Sequence, residues 1–369
     1  MNICILSMQR VLNYGSLLQA YSLMKILTHM GHMVDFIDIE PNETENALNH
    51  VIHFKEAKKY ADKGKLYRFL QQDDSVFYIP SKIIAKKKVA KEQNSFSAEV
   101  LHLNFNNNSR HYDLCVIGSD EVFNCMNDTA WGFTSQLFGN VRQADRVITY
   151  AASCGFTTVD SLNEEVLKII INAFTNISAF SVRDANTRNF VYSITHSEPV
   201  LSLDPVLIGN FDDEISKCTP RLPKRYCIVY AYHGRINNAD EIKAIRDYCR
   251  KQGLELVSIG GTQKWIHKHL ALAPFEVLKA FKNAELVVTD TFHGTIFAAK
   301  YSKHFAILVR ESNRNKLGDL IRRLNIEHHQ LDIIDSLPNI ARIAHDKKAF
   351  YSLIDSEREK AIEYLRSSI

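Results

Sequence analysis

Asn2-Ile3-Cys4-Ile5-Leu6-Ser7, the stretch from Ser16 to Met30, and Met33-Val34-Asp35-Phe36-Ile37-Asp38 decide the fold. The first is an apolar run of strand length, followed by a polar loop from Met8 to Gly15. Leu17, Leu18, Tyr21, Leu23, Met24 and Leu27 then recur at helical spacing. Ser16 stands where a helix cap is expected and Gly31 where a left-handed stop is expected. The third stretch reads as a second strand. Strand, helix and strand in this order predict a βαβ unit, and so the start of a parallel sheet.

Beyond Asp38 the rhythm breaks. Residues 41–110 are polar and rich in Lys and His, and are expected to be a mostly helical insertion. Between Lys55 and Lys91 stand eleven Lys/Arg against four Asp/Glu. Such a run is first of all a solvated face; the sharper alternative is a surface that meets anionic lipid or an anionic acceptor. Strand patterns resume at 113–117, 146–151, 178–182 and 199–203, with helical patterns at 163–176 and 184–193. Residues 206–224 carry two of the eight prolines and no periodicity, which suits a crossing between domains. The alternation then repeats, with strands at 225–232, 254–259, 286–289 and 304–309 and helices at 238–252, 274–284, 292–301 and 315–324. An amphipathic helix over 347–367 closes the chain. The expected architecture is two open, mostly parallel α/β sheets, in domains 1–205 and 206–345, with 346–369 packing back on the first.

Composition narrows the function. The 369 residues are 46% hydrophobic and 24% charged, which excludes a mainly disordered or coiled-coil chain. The net charge of +3 is too balanced for a general nucleic-acid binder. No apolar run approaches the ~20 residues that span a bilayer, and no basic leader precedes the first apolar stretch. The seven cysteines are scattered without a Cys-x-x-Cys pair, so the expectation is a cytoplasmic chain with buried thiols and no disulfide frame. His267-x-His269 and His328-His329 lack Cys or carboxylate partners at ligand spacing, and no metal site is expected.

In open parallel sheets ligands bind beyond the carboxyl ends of the strands. Those ends carry Asn13-Tyr14-Gly15-Ser16, Gly118-Ser119-Asp120-Glu121, Ser153-Cys154-Gly155 and Arg183-Asp184 in the first half. In the second half they carry His233-Gly234-Arg235, Gly260-Gly261-Thr262, Asp290-Thr291-Phe292-His293-Gly294 and Arg310-Glu311. Arg, His and Gly on both sides of one crevice suit a small, multiply charged anion. There is no Gly-x-Gly-x-x-Gly, no P-loop and no Gly-x-Ser-x-Gly, which disfavours nicotinamide dinucleotides, P-loop use of ATP and a hydrolase elbow. Arg183 offers a fork for a carboxylate or phosphate, or an ion pair with Asp184 or Asp204. His293, just inside a helix that starts at a strand end, can donate a hydrogen bond or move a proton, or can be a packed loop histidine. Gly294 beside it permits close backbone approach.

Five blocks then read together: Asn13 to Tyr21, Val116 to Asn124, Ser181-Val182-Arg183-Asp184, Leu203-Asp204-Pro205-Val206-Leu207 and Thr289 to Gly294. In this order they resemble the signatures of the polysaccharide pyruvyl transferase family. The resemblance implies two Rossmann-like domains facing a cleft, as in GT-B glycosyltransferases, with the helical insertion in the N-terminal domain. It implies phosphoenolpyruvate as co-substrate, no other cofactor, and a sugar acceptor, free or lipid-linked. Lipid linkage would bring the stretch 55–91 to the inner face of the plasma membrane. Arg183 would hold the donor's anionic groups. His293 would contact the donor or act as acid, with Asp120, Glu121 or Asp290 as base. Asn13, Tyr14, Gly15, Ser16 and Ser119 fall on the acceptor side, and Thr291 and Gly294 on the donor side. Many members have Arg-Leu-His at Thr291-Phe292-His293, so a donor arginine would be missing or supplied by Arg235, Arg310 or Arg314. Many also have Gln-Val-Trp at Glu121-Val122-Phe123. The alternatives are a glycosyltransferase using a nucleotide-activated sugar and a noncatalytic sugar-binding protein.

Overall fold

β1 (Asn2–Leu6), α1 (Tyr14–His29) and β2 (Met33–Phe36) form the βαβ unit that the apolar runs predict, with the strands parallel. The helix starts earlier than Ser16. Asn13 is its cap, accepting from the Ser16 N–H at 2.8 Å, and the Ser16 hydroxyl turns instead to Asp120 at 2.6 Å. Gly31 supplies the left-handed stop, with φ +92°. This computed structural model describes residues 1–40, 79–126 and 133–369, with the backbone alone at 79–82. The expected insertion 41–110 and the basic stretch 55–91 therefore lie outside the described residues up to 78. From 79 onward the chain forms α2 (Ile79–Glu99), helical as expected.

The first half continues with β3 (Leu114–Ile117), β4 (Val147–Thr149), α3 (Glu164–Phe174), β5 (Ile177–Ala179), β6 (Ser181–Val182), α4 (Ala185–Thr195) and β7 (Val200–Leu201). The single strand expected over 178–182 is thus broken in two, and β6 pairs with β7 in a small parallel sheet of its own. Single bridges from Asp120 to Ala152 and from Ala152 to Val182 carry the pairing on past β3 and β4, and so bring Arg183 level with Asp120. Residues 206–224 are not plain coil. They contain the rest of α5 (Pro205–Ile208), with Asp204 capping it and Pro205 in its first turn, and α6 (Asp212–Lys217). Both helices are too short to show a period in the sequence.

The second half comprises β8 (Tyr226–Ala231), α7 (Ala239–Gln252), β9 (Glu255–Gly260), β10 (Lys268–His269), α8 (Pro274–Asn283), β11 (Leu286–Thr289), α9 (Phe292–Tyr301), β12 (Phe305–Ile307), α10 (Arg314–Arg323), α11 (Leu337–Ile340) and α12 (Lys347–Ser368). The two five-stranded sheets are wholly parallel, in the orders β2-β1-β3-β4-β5 and β10-β9-β8-β11-β12. The order in which successive strands are added reverses between β1 and β3 in one sheet and between β8 and β11 in the other. A crevice opens at each of these two points.

α1 and the α5 turn join the halves. Leu17, Leu18 and Leu23 of α1 share one buried cluster with Val206 and Leu207 of α5, Val277 of α8 and Phe297 of α9. The Tyr21 ring meets Phe96 of α2 at 6.1 Å and Phe275 of α8 at 4.9 Å, both edge-on. The Tyr14 hydroxyl donates to the Leu272 carbonyl across the halves at 2.9 Å. α12 buries Phe350, Ile354, Ala361 and Leu365, the stripe its sequence predicts. Its far end lies against the first sheet: the Tyr364 hydroxyl donates to the Thr149 carbonyl, and Arg146 donates to the carbonyls of Ser368 and Ile369.

The buried Lys300 of α9 donates from its ammonium to the carbonyls of Val206 (2.6 Å), Leu207 (3.0 Å) and Gly209. It thereby completes the carbonyl end of α5 from the other half. Lys300→Met keeps the apolar stem and leaves those acceptors unmatched. The expected cost is about 3 kcal/mol, read as a lower denaturation midpoint in urea.

Candidate active site

Both crevices open into one cavity of about 260 Å³. Leu12, Asn13 and Tyr14 reach it from the end of β1, Asp120 and Glu121 from β3, and Arg183 from β6. Tyr230 to His233 reach it from β8, Gly260 and Gly261 from β9, Thr291 to His293 from β11, Lys316 from α10, and Val89 and Gln93 from α2. The N-termini of α1 and α9 meet here, so two helix dipoles present their positive ends to the same space.

Arg183 is buried at the end of β6. Its Nη1 pairs with Asp204 at 3.2 Å, its guanidinium lies 4.3 Å over the Phe292 ring, and its Nε has no hydrogen-bond partner. Burial works against its charge. Asp204, Asp120, Asp184 and Glu121 outweigh that and hold it above the usual arginine range. Of the two ion pairs open to Arg183 on sequence, the structure contains the one with Asp204; Asp184 caps α4 by accepting from Thr187. Asp204 also faces His293, whose Nε2 lies 3.5 Å from its Oδ2, the distance of an ion pair when the ring is protonated. Burial pushes the Asp204 carboxyl up, but His293, Arg183 and the Val206 N–H together hold it below the ordinary range.

The His293 ring occupies the space that a side chain at Gly15 would need. A methyl group built at Gly15 would stand 2.1 Å from His293 Nδ1 and 2.3 Å from its Cγ. Glycine at this position is therefore required by a side chain of the opposite half rather than by a turn. Gly294 is required for a similar reason. Its added Cβ would meet Thr289 Oγ1 at 2.0 Å, and its N–H is already used by the Thr291 cap. Gly294 packs against protein and does not line the cavity.

The carboxylates divide. Asp120 lines the cavity in the left-handed region (φ +83°), accepting from Ser16 and from the Glu121 N–H. Glu121 receives Lys316 from α10 and Asn124 at 2.7 Å. Burial raises its pKa, but Lys316, Asn124 and Arg183 outweigh burial and hold it low. Asp290 stands away from the cavity wall, buried beneath Arg235 and Arg310 at 3.2 Å each. Its carboxyl is nonetheless raised, burial outweighing the two arginines.

Asn13, Tyr14, Asp120, Glu121, Arg183, Thr291 and His293 are thus brought together around one cavity, with Gly15 against His293 and Ser16 against Asp120. Ser119 is buried, its hydroxyl on the Ala151 carbonyl. The three arginines considered as substitutes at Thr291 do not reach the cavity. Arg235 is held by Asp290 and Ser312, and Arg310 by a two-pronged pair with Glu241 and by Asp290. Arg314 is exposed beside Glu311. The cation that does arrive from the second half is Lys316, which stands at no strand end. Its signal was a lysine in the first turn of α10, where the helix dipole disfavours a cation. α2 was also missed as a wall, since a polar insertion gives no sign of where it docks.

Two parallel-sheet halves with a shared cavity at their switch points make this a GT-B-like fold. UDP-GlcNAc 2-epimerase from Methanocaldococcus jannaschii, solved with UDP-GlcNAc and UDP, is similar with a TM-score of 0.51 at 12% identity, over 100% of both chains. The Rickettsia bellii UDP-N-acetylglucosamine 2-epimerase gives 0.48 at 10%, over 100% of this chain and 96% of that one. The calicheamicin glycosyltransferase CalG4 gives 0.41 at 10%, over 100% and 96%. These likenesses are of fold alone. Among curated proteins no match is found. The polysaccharide pyruvyl transferase family matches residues 13–312, and the chain belongs to that family.

Two outcomes are expected from this geometry. Asp204→Asn removes the counter-charge of a buried guanidinium and is expected to cost about 3–5 kcal/mol at neutral pH. Because the folded carboxyl titrates below its unfolded value of about 3.9, its contribution is present above that pH and fades as pH falls through the lower folded value. Urea unfolding across the acid range should therefore show a flatter acid limb in the variant. Gly15→Ala should displace the His293 ring while α1 still forms. The His293 ring resonances in a carbon–proton NMR spectrum would shift strongly, with little change in circular dichroism.

Proposed function

We propose that the chain transfers the pyruvyl group of phosphoenolpyruvate to a sugar of a surface polysaccharide, or of its lipid-linked precursor, as a cyclic ketal. The observation that carries this reading is one small cavity holding Arg183, whose Nε has no hydrogen-bond partner, beside His293, whose Nε2 faces the shared carboxylate of Asp204 at 3.5 Å. Family membership supports it. At about 260 Å³ the cavity is smaller than the ~300–1,000 Å³ typical for drug-sized ligands. That favours a compact, multiply charged donor over a nucleotide sugar.

In this reading Arg183, the two helix N-termini and Lys316 receive the donor's carboxylate and phosphate. His293 gives a proton to C3, and C2 becomes electrophilic. A sugar hydroxyl bonds to C2 as Asp120 or Glu121 takes its proton. The C2–O bond to phosphate then breaks, and phosphate leaves with the electron pair. A second hydroxyl of the same sugar bonds to C2, and its proton goes to the departing phosphate. Phosphoenolpyruvate and a diol become a ketal and inorganic phosphate. Asp290, clamped outside the wall, takes no part. In this reading the exposed Lys86, Lys87, Lys88 and Lys91 of α2 would meet an anionic lipid-linked acceptor or the membrane surface.

The test is donor binding by calorimetry, because it needs no acceptor. Phosphoenolpyruvate should bind saturably, and Arg183→Lys, which keeps the charge for Asp204 but loses the fork, should weaken it at least about tenfold. Glu121→Gln releases Lys316 and should tighten donor binding, by about tenfold. Binding of a nucleotide sugar with none of phosphoenolpyruvate would overturn the reading in favour of glycosyl transfer.

A further inference from the structure

His328 and His329 lie in a turn after α10, and His345 lies just before α12. The fold brings the three rings together at the outer edge of the second sheet, next to β12. One ring nitrogen of each lies within 4.8 Å of the others. The main chain fixes all three segments against one another. Leu331 donates to the Ile307 carbonyl, His345 donates to the Lys303 carbonyl, and His304 Nδ1 meets the Ile343 carbonyl at 3.0 Å. His329 is fully buried. Its Nδ1 faces the Phe305 carbonyl at 3.0 Å, so Nδ1 carries the hydrogen and Nε2 keeps its lone pair. That Nε2 has no hydrogen-bond partner, and His345 is buried beside it.

We propose that His328, His329 and His345 bind a borderline divalent metal ion of the zinc class. A ring whose other nitrogen donates to a backbone carbonyl is the arrangement that orients metal-binding histidines. Three imidazoles without thiolate or carboxylate suit zinc, cobalt, nickel or copper and not magnesium or calcium. Three nitrogens at zinc distances stand about 3.3 Å apart, so the rings must close somewhat, and the exposed His328 has room to turn. A water completes the set on that exposed side. Phe305 stacks on His329 at 3.8 Å and Phe350 meets His345 at 5.1 Å, an apolar jacket for the site. The ion bolts the edge of β12 to the start of α12, the helix whose other end grips the first sheet.

The third ligand is remote in sequence, so the spacing around His328-His329 gives no sign of it. The full chain, dialysed against a chelator, is titrated with zinc alone by calorimetry. One equivalent should bind, raise the melting temperature, and be reversed by chelator. Cobalt should give the visible absorption of a four-coordinate site. His328→Gln, at an exposed position that leaves the core intact, should weaken zinc at least about 100-fold, and His345→Gln should do the same. Absence of saturable one-to-one binding overturns the proposal. So does binding that survives His328→Gln and is lost in His267→Gln, which would place the ion elsewhere.

Discussion

Everything about the cavity depends on one buried carboxylate. Asp204 stands at the crossing between the two sheets, caps α5, and faces Arg183 from one half and His293 from the other. An isolated charge in that position would be prohibitive, and each of its partners alone would be costly as well. Together they are tolerable. The positions of Arg183 and His293 are therefore set by the same carboxylate that caps the helix between the halves.

The electrostatics around this anchor are balanced rather than uniformly positive. Asp120, Glu121 and Asp204 oppose Arg183 and Lys316, with two helix N-termini added. The charges balance internally, Arg183 against Asp204 and Lys316 against Glu121, each pair held out of full contact with water.

Much of the fold was legible because its signals are local. The period of Leu17 to Leu27 and the positive φ of Gly31 each follow from the residue and its neighbours. Arg183 and His293 were legible for a related reason: parallel sheets place strand ends on one side, so proximity follows from topology. Cap choice was less so, since Ser16 and Asn13 are both good caps and only the tertiary position of Asp120 decides between them. Lys316, the walls from α2, and the burial of Asp290 under Arg235 and Arg310 were not legible. Each depends on which distant side chain meets which, and charge alone does not say whether an arginine faces a ligand or a neighbour's carboxylate. His345 stands apart from His328 in sequence and joins it only because β12 has both segments as neighbours.

The contact of His293 with Gly15 has a further consequence, for how such sequences can drift. The two residues compete for the same volume, though the chain separates them widely. A methyl group at 15 needs the side chain at 293 to move or to shrink, whereas a smaller residue at 293 makes no demand on 15, so the dependence runs in one direction.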